Sequence, residues 1–255
     1  MKSVVLCEGQ DDLWFIGYYL HKVGNWMQCK CPWKNYTIAL KPGKQKVIFL
    51  KKGADTVAIW SVGGKDSFRA AVSVLLDKLI EEFPFDPINS IVMMRDRDND
   101  PEDDILTKMQ QWVASDEPMH NKAALTQTRE VDGYTVSVNI TPLIIPFSES
   151  GAIETVLMHS IGERDAEGAA VVREAISYVD RLRSMPEVGI NYLTHDRLVL
   201  KAKYASVIAV TNPDHSTGAF QDIVMAYPWE GSEYVKNHFN VILNAISSEK
   251  ETHQE

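Results

Sequence analysis

The N-terminal part of the chain alternates short apolar runs with amphipathic segments. The stretches "SVVLCEG" (3–9), "DTVAIWSVGG" (55–64) and "INSIVMMRD" (88–96) have the length and apolar character of buried strands. Segments with apolar residues at helical spacing follow them, such as "DDLWFIGYYLHKVG" (11–24). Strands that alternate with helices are joined by right-handed crossovers. The pattern therefore predicts an α/β fold with a mainly parallel sheet and flanking helices.

The remaining segments complete this prediction. The stretch "REVDGYTVSVNITPLIIPFS" (129–148) predicts a hairpin that turns at Asp132-Gly133 and a last long strand, which gives a four-stranded sheet. Residues 25–52 predict an inserted β-hairpin, in which "YTIALK" and "KVIFLK" flank "PGKQ". The pattern after residue 148 is mainly helical. We expect an α/β core over residues 1–147 and a helical extension over residues 148–255 that packs on it.

The composition is that of an ordinary globular protein, with 45% hydrophobic and 24% charged residues. No apolar run has the length of a membrane-spanning helix, so we expect no membrane association. The N-terminal stretch "MKSVVLCEGQDD" has only four consecutive apolar residues, too few for a signal peptide. The odd number of cysteines, three, fits a reducing compartment. These features predict a cytoplasmic protein.

Acidic side chains follow two of the predicted strands. Asp96, Asp98 and Asp100 alternate in "RDRDND" at the end of the third strand, and Glu8 ends the first. Parallel strands end at one edge of a sheet, where binding sites form. Crowded carboxylates repel one another unless a cation lies among them, and oxygen-only ligand sets suit Mg²⁺ or Mn²⁺. The pattern therefore makes these four residues candidate metal ligands.

Helix capping is the alternative explanation for part of this acidic run. Asp100 is placed to cap the helix predicted from "PEDDILTKMQQWV" (101–113), and the helix dipole favours the three acids in its first turn. Capping does not account for Asp96, Asp98 or Glu8. From the residues alone, a metal site and a purely structural role both remain open.

The order of the motifs resembles a Toprim domain, the fold shared by topoisomerases, bacterial primases and OLD-family nucleases. The resemblance rests on a strand ending in Glu-Gly, a helix, a Gly-Gly-Lys turn after a second strand, and Asp-x-Asp-x-Asp after a third. It implies that Glu8 acts as an acid/base or metal-proximal residue. It also implies that Asp96 and Asp98 are the principal Mg²⁺ ligands and Asp100 an accessory one. The whole chain is most similar to small stand-alone Toprim-like proteins.

The chain also departs from the larger Toprim proteins. It has no room for the domains that carry the strand-cleaving tyrosine of a topoisomerase, and it shows no zinc module of a primase. In "SVGGKDSF" (61–68), Lys65 is followed by Asp66 rather than Ser or Thr, so the stretch is not an ATPase phosphate-binding loop. A partner ATPase, such as OLD nucleases carry, would have to be encoded separately.

Two functions fit these features. The first is a Mg²⁺-dependent phosphodiester-bond enzyme, nuclease-like, in which Glu8, Asp96 and Asp98 carry out the chemistry on nucleic acid. The second is a non-catalytic Toprim module that binds nucleic acid or a partner protein. The enzyme is the leading hypothesis, and the net charge of −9 and the missing ATPase and primase modules are the reasons for keeping the second.

Four further residues are candidates for accessory roles. Glu154 begins a predicted helix after the fourth strand, where OLD-like Toprim domains carry an acid, and Lys201 or Lys203 resembles their late lysine. Lys65, at the glycine turn, is placed to meet a phosphate at the start of a helix. The alternatives are an ordinary first-turn glutamate, solvated lysines and plain strand-to-helix geometry.

The segment from Asn25 to Lys52 contains seven lysines and no acidic residue. Aromatic residues such as Trp33 are interleaved with these lysines, the combination expected where bases stack and phosphates are neutralised. This predicts a nucleic-acid contact made by Lys41, Lys44, Lys46 and Trp33. The alternative is a solvated hairpin whose lysines protect an exposed edge strand and whose aromatic residues are partly buried.

Overall fold

The computed structural model describes residues 1–33, 41, 43–80 and 86–248. The chain divides into two compact units. The sheet unit comprises residues 1–95, 100–144 and the segment from Phe239, and the helical unit comprises residues 96–99 and 145–238. The sequence predicted a division at residue 147, with residues 148–255 as a helical extension, whereas the segment from Phe239 groups here with the sheet unit.

The strands and helices of the described part of the chain follow in this order: β1 (Lys2–Cys7), α1 (Gln10–Lys22), β2 (Met27–Cys29), β3 (Lys46–Lys52), β4 (Asp55–Ser61), α2 (Phe68–Ser73), β5 (Ser90–Asp96), α3 (Glu102–Val113), β6 (Leu125–Val131), β7 (Tyr134–Ile145), α4 (Ile153–Arg164), α5 (Ala166–Arg183), α6 (Pro186–Asn191), α7 (Asp196–Thr211), α8 (Phe220–Ala226) and α9 (Glu233–Ile246). A 3₁₀ turn over Lys65–Ser67 precedes α2, and a wider π-helical segment, Val74–Ile80, continues it. A second 3₁₀ turn spans Trp229–Gly231. The α/β class predicted from the sequence is therefore confirmed.

The sheet has the strand order β2-β3-β4-β1-β5-β7-β6. Its centre is parallel, because β1 runs in the same direction as both β4 and β5. Ser3 of β1 lies opposite Val57 in β4 and opposite Ser90 in β5. The edges are antiparallel, since β3 pairs in this way with β2 and β4, and β6 pairs in this way with β7. The central strands β4, β1 and β5 therefore end at one common edge.

The sheet is larger than the four-stranded sheet that the sequence predicted, because short antiparallel strands extend both sides in the described part of the chain. β3 contains the predicted strand "KVIFLK", but it pairs with β2 and β4. Of the predicted partner strand "YTIALK", only Lys41 lies within the described residues. The hairpin at Asp132-Gly133 is confirmed, and both turn residues have the positive φ angles, 51° and 82°, that a tight hairpin turn requires.

The core of the sheet unit is built on β1, where every residue from Val4 to Cys7 is fully buried. The helix α1 covers β3 and β4. The C-terminal half of α9 also belongs to this unit, because Phe239 is fully buried and packs edge-on against Phe15 of α1, with 4.8 Å between the ring centroids. An amphipathic C-terminal helix thus closes one side of the core.

The helical unit is organised around α5, which packs against α4, α6 and α7. Val207 and Ile208 of α7 are buried in this unit, as is Trp229, whose indole N–H donates to the carbonyl oxygen of Val224 at 3.1 Å. No helix among the described residues has both the length and the apolar character needed to cross a membrane.

The packing of Phe239 predicts a large effect on stability. Replacing Phe239 with alanine should lower the free energy of unfolding by about 3–5 kcal/mol, because the change leaves a cavity against Phe15 and Tyr19. Tyr192→Ala is the control, since Tyr192 is 73% exposed and should change the free energy by no more than about 0.5 kcal/mol. Urea denaturation measures both, and equal values would contradict this account of the core.

Candidate functional site

The end of β1 is joined to the end of β4 through the backbone of Glu8. The carbonyl oxygen of Glu8 accepts hydrogen bonds from the amides of Gly63 and Gly64, at 3.1 and 2.9 Å. Gly63 has a φ of +85°, and a Cβ atom there would lie 2.9 Å from the carbonyl oxygen of Lys44. The glycine turn therefore needs glycine for its own geometry. Its amides bind a protein carbonyl, so a plain strand-to-helix turn accounts for them.

The carboxylate of Glu8 is bound by a buried arginine. Arg95 lies in β5, its side chain is only 2% exposed, and its Nε–H donates to Oε1 of Glu8 at 3.2 Å. The Glu8 side chain itself is 15% exposed. Arg95 was not among the residues predicted from the sequence. The available signal was a lone cation at the end of the otherwise uncharged stretch "INSIVMM".

Asp100 lies between two cations of the same unit. Its Oδ2 atom is 3.8 Å from Nζ of Lys65 and 3.8 Å from Nη2 of Arg95. Lys65 and Asp100 are partly exposed, at 48% and 36%. Glu8, Arg95, Asp100 and Lys65 form the strand-edge cluster, in which acidic and basic groups alternate. In this cluster the acids Glu8 and Asp100, predicted as metal-site residues, face basic side chains.

Asp96 and Asp98 belong to the helical unit, where backbone hydrogen bonds fix the segment that carries them. Oδ1 of Asp96 accepts the amide of Ile153, the first residue of α4, at 3.2 Å. The backbone of Asp98 exchanges two hydrogen bonds with Gly151, at 2.7 and 2.8 Å. Asp98 has a φ of +50°, a conformation that aspartate tolerates better than most residues. Contact with the N-terminus of α4 also gives Asp96 a stabilising role of its own.

The accessory candidates Glu154 and Lys201 form an ion pair. Nζ of Lys201 donates to Oε1 of Glu154 at 2.7 Å, and the Glu154 side chain is only 8% exposed. This contact joins the start of α4 to α7. Lys203, two residues further along α7, pairs with Asp180 of α5 at 2.7 Å. Both lysines therefore have a structural role within the helical unit.

The helical unit also contains a groove of about 600 Å³ between α4, α5 and α7, which Lys203 and His159 help to line. Nε2 of His159 lies 2.7 Å from Oε1 of Glu149, which also accepts the hydroxyl of Tyr234 at 3.0 Å. Burial raises the pKa of the Tyr234 phenol, and its contact with Glu149 raises that pKa further. No sequence motif joins these residues, so the pattern of the chain gave no signal for them.

The described part of the lysine-rich segment lies beside the glycine turn. Lys41 and Lys44 are exposed, and the carbonyl oxygen of Lys41 accepts the amides of Lys44 and Gln45 at 3.2 and 3.1 Å. The side-chain amide of Gln45 donates to the carbonyl oxygen of Val62, just beyond β4, at 2.8 Å. These contacts hold both exposed lysines at the edge where β1 and β4 end.

Trp33 and Lys46 make contacts within the sheet unit. Trp33 is only 3% exposed, and its indole N–H donates to Oγ1 of Thr56 at 2.8 Å. Its ring packs edge-on against Phe49, which leaves no exposed face on which a base could stack. Nζ of Lys46 lies 4.1 Å from the ring centroid of Trp14. The structure thus favours the alternative for Trp33, a buried aromatic residue.

No group of three or more His, Cys, Asp or Glu side chains that could hold a metal ion occurs among residues 1–33, 41, 43–80 and 86–248. The shared edge of β1 and β5 is confirmed, because the two strands are parallel neighbours. A cleft that gathers the carboxylates of Glu8, Asp96 and Asp98 around a metal ion stays a prediction.

The contact between Glu8 and Arg95 predicts how two variants differ. Glu8→Ala removes the acceptor of a buried guanidinium and should lower the free energy of unfolding by about 1.5–3 kcal/mol. Glu8→Gln keeps an oxygen acceptor and should cost less. Urea denaturation measures the difference, with Glu117→Ala on the exposed surface as the control. If Glu8→Ala proved as stable as the control, Arg95 would not depend on Glu8.

Comparisons with known proteins give a family and a distant structural likeness. The chain shows 15% sequence identity and a TM-score of 0.49 to the crystal structure of hypothetical protein PH0156 from Pyrococcus horikoshii OT3, over 94% of this chain and 99% of that one. No curated protein matches. The family described as "Protein of unknown function (DUF3226)" matches residues 2–246. The chain belongs to this family.

Proposed function

We propose that this protein is a Mg²⁺-dependent phosphodiester-bond enzyme, nuclease-like, built on a Toprim-like core. The observation that carries the proposal is the pairing of β1 with β5 as neighbouring parallel strands, with Leu6 opposite Met93. Glu8 is the first residue after β1, and Asp96 is the last residue of β5. Acids that follow adjacent parallel strands are at the edge where α/β proteins bind their ligands.

The residues fit a hard cation in their chemistry, because Asp96 and Asp98 offer carboxylate oxygens. The backbone of Asp98 pairs with Gly151, and the carboxylate of Asp96 accepts the amide of Ile153, so the segment is held in place and the cost of ordering a metal site is reduced. Asp96 and Asp98 would hold the ion. A bound Mg²⁺ would supply positive charge that stabilises the negative charge developing on a phosphate during hydrolysis.

Glu8 is the proposed proton acceptor for the attacking water. The Nε–H of Arg95 binds one of its carboxylate oxygens and so orients the group, as a positioned general base requires. The exposed lysines Lys41 and Lys44 would neutralise phosphates of a nucleic-acid substrate at the same sheet edge. A separately encoded ATPase remains a proposed partner, by resemblance to OLD nucleases alone.

Metal binding provides the first test. Asp96→Asn/Asp98→Asn should weaken Mg²⁺ or Mn²⁺ binding by more than about tenfold, as measured by calorimetry. Asp103→Asn/Asp104→Asn is the matched control, since it removes the same charge from exposed positions in the first turn of α3 and should leave the affinity near that of the wild type. If the two double variants bound the metal equally well, the proposed ligands would be wrong.

A non-catalytic nucleic-acid-binding module is the second candidate. The specific observation in its favour is the strand-edge cluster, in which the Glu8 and Asp100 carboxylates face Arg95 and Lys65. Carboxylates whose negative charge is balanced by neighbouring cations do not need a metal ion. A surface of this kind can bind phosphate without cleaving it. Such a protein would bind nucleic acid equally well with and without a divalent metal ion.

Cleavage assays separate the two candidates. With Mn²⁺ and plasmid, single-stranded DNA or RNA, the wild type should cleave at least one substrate. Glu8→Gln should lower the rate about 10²–10⁴-fold, because the proton acceptor is lost while the contact with Arg95 is kept. Glu117→Gln should cleave like the wild type. Binding without cleavage by the wild type would favour the second candidate, and cleavage unchanged by Glu8→Gln would exclude the proposed role of Glu8.

A further inference from the structure

The strand-edge cluster is balanced in charge, but Asp100 stands too far from its two cations for a hydrogen bond. Its four side chains, Glu8, Lys65, Arg95 and Asp100, carry two positive and two negative formal charges. Arg95 and Glu8 are within hydrogen-bond distance of each other, at 3.2 Å. Asp100 stands 3.8 Å from both Lys65 and Arg95. It therefore offsets their charge without accepting a hydrogen bond from either at that distance.

The Nη2 atom of Arg95 is the sharpest sign of this mismatch. It is buried, and it has no hydrogen-bond partner among the residues that the structure describes. A buried donor without a partner costs about 1–3 kcal/mol, and more when the group is charged. The carboxylate nearest to it, that of Asp100, is partly exposed and belongs to the loop between β5 and α3. An acceptor placed closer to Nη2 than Asp100 would remove this cost.

We infer that Lys65 and Arg95 bind a phosphodiester group of the substrate, and that Asp100 is the internal counter-ion which this group replaces. This inference rests on the proposed function for the identity of the substrate as a nucleic acid. Arginine and lysine donate short, charge-assisted hydrogen bonds to phosphate oxygens at about 2.7–2.9 Å. A phosphate in this position would therefore satisfy Nη2, which Asp100 does not.

The charge balance favours a diester over a terminal phosphate. Asp100 contributes one negative charge to the cluster, and an internal phosphodiester carries one as well, so the exchange keeps the cluster neutral. A terminal phosphate carries about −1.5 to −2 at neutral pH and would add uncompensated negative charge beside Glu8. Asp100 thus has the role of a charge-matched stand-in for a backbone phosphate.

Neighbouring lysines extend the same surface along a strand of nucleic acid. The carbonyl oxygen of Lys44 lies beside Gly63, where a Cβ atom would be 2.9 Å from it, and Gly63 is two residues before Lys65. Lys41 and Lys44 are exposed in the turn that leads into β3. These exposed lysines are placed to neutralise further phosphates of a strand whose phosphate lies on Lys65 and Arg95.

Binding in EDTA tests the inference independently of any metal chemistry. The probe is a short fluorescent single-stranded oligonucleotide without a terminal phosphate, measured by anisotropy over a range of salt concentrations. Asp100→Asn should tighten binding by up to about fivefold, because the competing carboxylate is gone. Asp103→Asn, which removes the same charge from exposed surface, should tighten it much less.

Lys65→Gln should weaken binding and flatten the log–log salt dependence by about 0.7, with exposed Lys108→Gln as its control.

The double variant Lys65→Gln/Asp100→Asn distinguishes a local exchange from a general charge effect. If phosphate and Asp100 compete for Lys65, the gain from Asp100→Asn should shrink in the Lys65→Gln background. Equal gains in both backgrounds, equal effects of Asp100→Asn and Asp103→Asn, or no binding by either wild type or Asp100→Asn would overturn the inference. The assignment to a diester would be overturned if the protein bound inorganic phosphate or a 5′-phosphorylated oligonucleotide but did not bind the oligonucleotide that lacks a terminal phosphate.

A Mg²⁺ titration separates failure of this inference from failure of the proposed function. If Asp100 is a counter-ion, Asp100→Asn leaves the Mg²⁺ affinity unchanged, whereas an accessory metal ligand would lose affinity. Loss of metal binding in Asp96→Asn/Asp98→Asn tests the proposed function and does not enter the measurement in EDTA. The two proposals can therefore fail separately.

Discussion

The guanidinium of Arg95 lies at the end of β5, a strand whose preceding residues, Ser90 to Met94, are all buried and uncharged. A buried charge costs several kcal/mol unless another charge and hydrogen bonds compensate it. Glu8 supplies the opposite charge from the end of the neighbouring strand. The hydrogen bond from Arg95 orients the carboxylate of Glu8. Asp100 lies beside the same guanidinium, at 3.8 Å from its Nη2 atom.

The backbone of the sheet edge supports the same arrangement. The carbonyl of Glu8 binds the amides of Gly63 and Gly64, so the ends of β1 and β4 are held together beyond their last paired residues. Lys65 follows this turn directly and reaches Asp100. The three neighbouring strands β4, β1 and β5 thus each have a charged residue at or beyond their carboxyl ends. These residues are Lys65, Glu8 and Arg95. A parallel sheet makes this possible, because its strands all end on the same side.

The sequence was sufficient to predict the elements that depend on local patterns. Alternating strands and helices, the turn at Asp132-Gly133 and the acids after β1 and β5 all follow from periodicity or turn chemistry. The strand count was not predictable, because the short strand β2 has only three residues and little pattern of its own. The return of Phe239 to the sheet unit was also hidden, since an amphipathic helix does not reveal which surface it covers.

The candidate site was predictable in its acids and not in its bases. Asp96, Asp98 and Glu8 attract notice because they crowd like charges after apolar runs. Arg95 directly precedes Asp96. Only the burial of its side chain distinguishes it from a surface arginine. Trp33 shows the opposite error, because its position among lysines suggested base stacking whereas Thr56 and Phe49 cover it. Burial decides both cases, and burial depends on contacts distant in the sequence.

Paramagnetic broadening by Mn²⁺ tests the central proposal, a metal site formed by the acids that follow β1 and β5. Substoichiometric Mn²⁺ added to ¹⁵N-labelled protein should broaden the amide resonances of Gly9, Asp98 and Gly151 first. The amides of Asp103 and Asp104 in the first turn of α3 should broaden only at higher concentrations. Broadening that begins at α3 and leaves Gly9 and Asp98 sharp would contradict the account.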